Sequence, residues 1–187
     1  MRFSRQRLAQ EGLTLIELLI ALAISAILIA GAYYGYQAVF SAKGQNDGQL
    51  LAQAAQCARN MYSNAPDFTG VTASNLAASN CFPAGNVSGT APSQIVKDSN
   101  GYLISAAPAT LSTSNDAIAF TLANVPSSLC TQILPALGPA ASQLTAGPHG
   151  SGSATPIVAY GGAYSPNLVG AACPTAELDD IVFTVTK

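Results

Sequence analysis

The chain has 187 residues, a net charge of −2, 49% hydrophobic residues and only 9% charged ones, where soluble domains carry about 25% charged side chains. That length fits one domain of ordinary size, and a positive mean hydropathy with little net charge excludes a disordered chain. Arg2, Arg5 and Arg7 crowd the first seven residues and only Lys43, Arg59, Lys97 and Lys187 follow, so a nucleic-acid-binding face is not expected.

From Leu13 to Phe40 the run LTLIELLIALAISAILIAGAYYGYQAVF carries one charge, Glu17. It is long enough to span a bilayer as a helix, and the arginines ahead of it would hold that end in the cytoplasm. Three readings compete. A secretory signal peptide would use Leu18 to Ile29 as its apolar stretch and be cut after Ala30-Gly31-Ala32, releasing a protein that begins at Tyr33. A plain membrane anchor leaves Glu17 without a purpose, because a carboxylate in an apolar span needs a partner. The third reading supplies one: a cut in Glu11-Gly12-Leu13 after Gly12 creates an α-amino group four residues before Glu17, on the same helix face. At about 4 Å and an effective dielectric near 20, the two would attract by about 4 kcal/mol before desolvation.

Residues 41–48, SAKGQNDG, are a weak spot for a helix because glycine costs up to about 1 kcal/mol relative to alanine. Beyond it Leu50, Ala54, Cys57, Ala58 and Met61 recur at helical spacing, so a helix from Leu13 to Tyr62 is expected, apolar all round at first and amphipathic later. A short helix is predicted over Thr72 to Ser79. Gln94–Lys97 and Tyr102–Ser105 flank Asn100-Gly101, a two-residue hairpin signal. A strand is predicted at Ala117–Leu122 and a helix from Pro126 to Leu137. Residues 138–153, with four glycines and two prolines, read as a loop, and strands follow at Ile157–Tyr160 and Ile181–Thr186. The expected fold class is α+β, a long N-terminal helix packed on a small, mainly antiparallel sheet.

Four cysteines, Cys57, Cys81, Cys130 and Cys173, would lie outside the cytoplasm, where disulfides persist. Three pairings are possible. Cys57 with Cys81 and Cys130 with Cys173 is the expected one, because each pair encloses a local segment and neither crosses the other; a free buried thiol at Cys57 is the alternative. His149 is the single histidine and reads as exposed loop decoration. Glu177, Asp179 and Asp180 could offer oxygens to calcium, but without a spaced ligand pattern they read as a solvated turn. GxSxG and GxxxxGK[ST] are both absent, and no acid, base and nucleophile set converges, so neither enzyme chemistry nor a cofactor or metal is expected. Asn86-Val87-Ser88 is a weak glycosylation sequon.

Glu11-Gly12 followed by Leu13-Thr14-Leu15-Ile16-Glu17-Leu18 and an unbroken apolar run resembles the leader and N-terminal segment of type IV pilins and pseudopilins, over roughly residues 11 to 40. The resemblance implies a leader over 1–12, cleavage between Gly12 and Leu13 by a prepilin peptidase, N-methylation of Leu13, and Glu17 as the carboxylate that guides subunit entry into a filament. It divides the chain into the leader, a hydrophobic polymerisation helix over 13–40 and a head over 41–187 that includes the second half of the helix. Leu rather than Phe at the first mature position points to the type IVb branch, although the leader length lies between those of the two branches. Pilins also commonly close a C-terminal loop with a disulfide, here Cys130 to Cys173. Implied partners are further subunits, a platform protein, an assembly ATPase, a secretin and the inner membrane that holds the precursor before it joins an extracellular filament. Alternatives are a type II secretion pseudopilin, a minor pilin and, more remotely, a secreted or membrane-anchored binding protein. Processing would leave four basic and eight acidic side chains, a mildly acidic filament surface.

Overall fold

The computed structural model describes residues 15–174 and 178–187. The chain divides into two units, Met1–Val39 and Phe40–Lys187. Helix α1 runs over Leu15–Met61. In the first unit it is mostly leucine, isoleucine and alanine with no proline, so every backbone group from its second turn on can bond internally. All described side chains from Ile16 to Val39 are exposed.

The second unit opens on the remainder of α1. Residues 41–48 were expected to loosen the helix, but they stay helical, because the glycines serve tertiary packing. Gly44 and Gly48 share one face against helix α3 (Ser127–Leu137). A Cβ on Gly44 would stand 2.7 Å from Gln132 Cβ, and one on Gly48 would stand 2.5 Å from Ala136 Cβ. Close approach of two helices replaces the propensity that glycine lacks. Farther on, Leu50, Leu51, Ala54, Ala55 and Ala58 are buried, whereas Met61 in the last turn is largely exposed.

Helix α2 (Ala73–Ala78) lies inside the expected short helix, with Thr72 Oγ1 accepting from Asn75 N at 3.1 Å as its N-cap. The strands are β1 (Val87–Ser88), β2 (Ile95–Lys97), β3 (Leu103–Ala109), β4 (Ala117–Pro126), β5 (Gln143–Pro148), β6 (Thr155–Val158) and β7 (Leu178–Thr186), and the one-turn helix α4 (Val169–Ala172) precedes β7. They form one seven-stranded sheet in the order β1-β2-β3-β4-β7-β5-β6, antiparallel at every pair. Phe120 of β4 lies opposite Phe183 of β7, with ring centroids 6.2 Å apart in the centre of the core. Helix α3 buries Leu129, Cys130, Ile133, Leu134 and Leu137, a stripe at helical spacing. The α+β class is as expected.

Local expectations differ from the structure where pairing overrides propensity. The hairpin joins β2 and β3, but Asp98 N donates to Tyr102 O at 2.9 Å, so its loop is Ser99-Asn100-Gly101 rather than the Asn-Gly pair alone. Gly101, at φ +92°, supplies the left-handed residue of such a three-residue loop. The expected loop 138–153 contains β5, inserted between β7 and β6, with Leu144 and Ala146 buried. Its Gly147 is obligatory, since a Cβ would lie 2.1 Å from Ser153 O. Strands β4 and β7 outrun their apolar runs, and β6 begins two residues earlier than expected.

Candidate functional site

In the first unit, Ile16–Tyr36 is a 21-residue apolar span with none of its residues buried inside the fold. Ile27 and Ile29 are 71% and 70% exposed. A contiguous apolar surface of this size is stable only in lipid or against other apolar segments. Ser25 fits either setting, because its Oγ donates to Ala21 O at 2.7 Å and leaves no unbonded hydroxyl proton. Glu17 stands in the first turn of α1, where the helix dipole favours a carboxylate. Gly12, Leu13 and Glu177 lie outside the described residues.

In the second unit two disulfides tie the helices to the head. Cys57 of α1 is bonded to Cys81 after α2, and Cys130 of α3 to Cys173 after α4, with Cα separations of 5.5 and 5.9 Å. No described cysteine is free. A carboxylate oxygen of Asp179 lies within 4.8 Å of both Cys130 Sγ and Cys173 Sγ, but those sulfurs bond each other and offer no thiolate to a metal.

Asp179 and Asp180 do not form a solvated turn. Asp179 and Asp180 are successive residues of β7 and so point to opposite faces. Asp179 is fully buried, whereas Asp180 accepts from Asn124 N at 3.1 Å, where β4 bulges at the left-handed Asn124. Asp180 also meets His149 Nδ1 at 2.7 and 2.9 Å through its two oxygens. His149 is thus partnered rather than decorative: β5 pairs Pro148 with Asp179, and His149 N donates to Leu178 O at 2.7 Å. Ser151 Oγ donates to Pro148 O at 2.8 Å, so its proton is not offered to His149 as a nucleophile's would be. Asn86 of the sequon spends its amide on Lys97 O at 2.8 Å.

One polar cluster escaped the sequence. Asp47 of α1 is buried, and its Oδ1 accepts from Ser99 N (3.1 Å) and Ser99 Oγ (2.7 Å) while its Oδ2 accepts from Asn100 Nδ2 (2.8 Å). Asp98 Oδ1 accepts from Asn100 N (2.9 Å) and Tyr102 N (2.7 Å), leaving Oδ2 buried without a hydrogen bond. Burial first, and the Asp47 carboxylate second, push the Asp98 carboxyl up to about 6, against the pull of the loop amides. These groups latch the β2–β3 loop onto α1. No sequence signal marks a lone helical Asp as the partner of a loop fifty residues away.

Two family models match the chain: the prokaryotic N-terminal methylation motif over residues 7–33 and the PilS N-terminal family over residues 42–186. No curated protein sequence matches it significantly. Among solved structures it is similar to the type IVb pilin from Salmonella typhi, at 17% identity over 73% of this chain and 95% of that one, with a TM-score of 0.54. It is also similar to TcpA, a type IV pilin from Vibrio cholerae El Tor biotype, at 12% identity over 77% and 99% of the two chains, TM-score 0.55. A solution structure of the type IVb pilin PilS from Salmonella typhi matches at 16% identity over 74% and 93%, TM-score 0.47. With the methylation motif on its apolar helix and the PilS model covering nearly all of its second unit, the chain belongs to the PilS family and is a type IV pilin, a subunit of a pilus.

Proposed function

We propose that the chain is a type IVb-like prepilin cleaved between Gly12 and Leu13, N-methylated on Leu13 and polymerised through residues 13–40 into an extracellular filament. The observation that carries this reading is the wholly exposed apolar span Ile16–Tyr36 coinciding with the methylation motif over residues 7–33. Before assembly that span would hold the precursor in the inner membrane with its head outward. Glu17 would neutralise the α-amine of Leu13, within one subunit or between neighbours, once both are taken out of water. A prepilin peptidase would remove the leader, and a platform protein, an assembly ATPase and a secretin would drive extrusion. The chain's own role is structural, and any nucleotide hydrolysis would belong to the ATPase. The Cys130–Cys173 loop supports a pilin over a pseudopilin. Intact-mass and N-terminal analysis of the mature protein is the test. Methylated Leu13 is expected at the N-terminus, and a chain that begins at Tyr33 would make the apolar run a signal peptide and refute the proposal.

A further inference from the structure

The apolar run ends on tyrosines. Residues 13–32 contain no aromatic side chain, and then Tyr33, Tyr34 and Tyr36 follow within four positions, 60%, 71% and 63% exposed. Tyr33 and Tyr34 meet edge to face with ring centroids 6.1 Å apart. At about 100° per residue the three side chains fan over about 160° of the helix circumference, so they form part of a ring at one level rather than a stripe along one face. Ile16 to Tyr34 is about 27 Å of helix at 1.5 Å per residue, close to the about 30 Å hydrocarbon thickness of a bilayer. A tyrosine ring combines an apolar body with a phenolic hydroxyl, which makes the boundary between acyl chains and headgroups its favoured level in lipid.

We propose that Tyr33, Tyr34 and Tyr36 form an aromatic collar seated in the ester and headgroup layer of a phospholipid bilayer, on the face away from the cytoplasm, and that this collar sets the depth of the helix before assembly. The proposal rests on the membrane-spanning reading of residues 13–40. It also fixes the height of Glu17. Sixteen residues separate Glu17 from Tyr33, about 24 Å along the helix, so a seated collar holds the carboxylate toward the opposite boundary of the hydrocarbon layer. There a charged group is held far more readily than at the bilayer centre.

The test uses the full chain in vesicles of phosphatidylcholine and phosphatidylglycerol. The chain contains no tryptophan, so Tyr34→Trp and Ile27→Trp each create a single tryptophan, excited selectively over the tyrosines, whose depth is read with lipids brominated at defined acyl positions. The Tyr34→Trp reporter should be quenched most by bromine near the ester, and the Ile27→Trp reporter by bromine deeper in the chain. Replacing Tyr33, Tyr34 and Tyr36 by leucine in the Ile27→Trp background should shift its quenching maximum. An unchanged Ile27→Trp profile after the leucine replacements would overturn the collar and leave the span intact, whereas equal shallow depth for the two reporters would overturn both, because the helix would then lie along the surface. Quenching of the Tyr34→Trp reporter that follows the protein-to-lipid ratio and ignores bromine depth would assign the rings to a second copy of the chain and also overturn it. No quenching at any depth in either reporter would overturn the membrane-spanning reading itself.

Discussion

The latch between α1 and the β2–β3 loop gives the head a stability that depends on pH in an uncommon direction. Asp98 is 5% exposed and its Oδ2 has no hydrogen-bond partner, so its charged form is poorly solvated beside Asp47. Its carboxyl titrates near 6 in the folded head against 3.8 for the ordinary group. The folded state therefore binds this proton more tightly than the unfolded state does. Stability from Asp98 is greatest below about pH 4, falls as pH rises to about 6 and is level above that. A displacement of about two pH units corresponds to a ceiling of about 3 kcal/mol, and water reaching the hairpin loop brings the expected figure to about 1.5 kcal/mol. Other carboxylates act in the opposite sense. Asp116 is held well below the ordinary range by the N–H of Leu111, the Ser112 hydroxyl and the N–H of Thr113, so its contribution is lost in acid. The comparison that isolates Asp98 is wild type against Asp98→Asn, which keeps an acceptor for Asn100 N and Tyr102 N without a charge. Thermal unfolding from pH 4 to pH 7 should show the wild type losing about 1.5 kcal/mol relative to the variant, or about 4 °C in midpoint for a head of this size. A gap that stays constant across that range, or in which the wild type gains with pH, would refute the account.

Gly48→Ala should destabilise the head by about 1–3 kcal/mol in denaturant titration, because its Cβ would overlap Ala136 Cβ and part α1 from α3. Gly31→Ala, with nothing within 4 Å of the added Cβ, should instead raise helicity, by up to about 1 kcal/mol. Replacing Cys130 and Cys173 together by serine opens a loop with a sequence separation of 43 and should cost about 4 kcal/mol in the chain-entropy model, read as a lowered unfolding midpoint and reduced pilus yield. Glu17→Ala should insert and be cleaved normally yet accumulate unassembled in the membrane. Leaving the Leu13 amine unpaired in an apolar core costs about 3–5 kcal/mol, and filaments of normal number and length by electron microscopy would contradict that role.

Local chemistry was enough to reveal the first unit and the outline of the second. A continuous 21-residue apolar run satisfies its own backbone in lipid as a helix, and Thr72, the α3 stripe and the alternating cores of β4 and β7 declare their elements through periodicity and capping alone. The α+β class was legible because its elements show in local patterning, whereas cleavage between Gly12 and Leu13 and the assembly role of Glu17 stand as proposals. Tertiary structure alone decided the rest. SAKGQNDG reads as a helix breaker until α3 lies against it and turns Gly44 and Gly48 into contact points. Gln143–Pro148 lacks strand propensity and becomes a strand because β7 and β6 offer it backbone partners on both sides. That insertion in turn brings His149 to Asp180, and the fold brings Asp47 to Ser99 and Asn100. Pairs separated by 31 to 53 positions leave no periodic trace, since the energy that selects them is a hydrogen bond formed only after the sheet has closed.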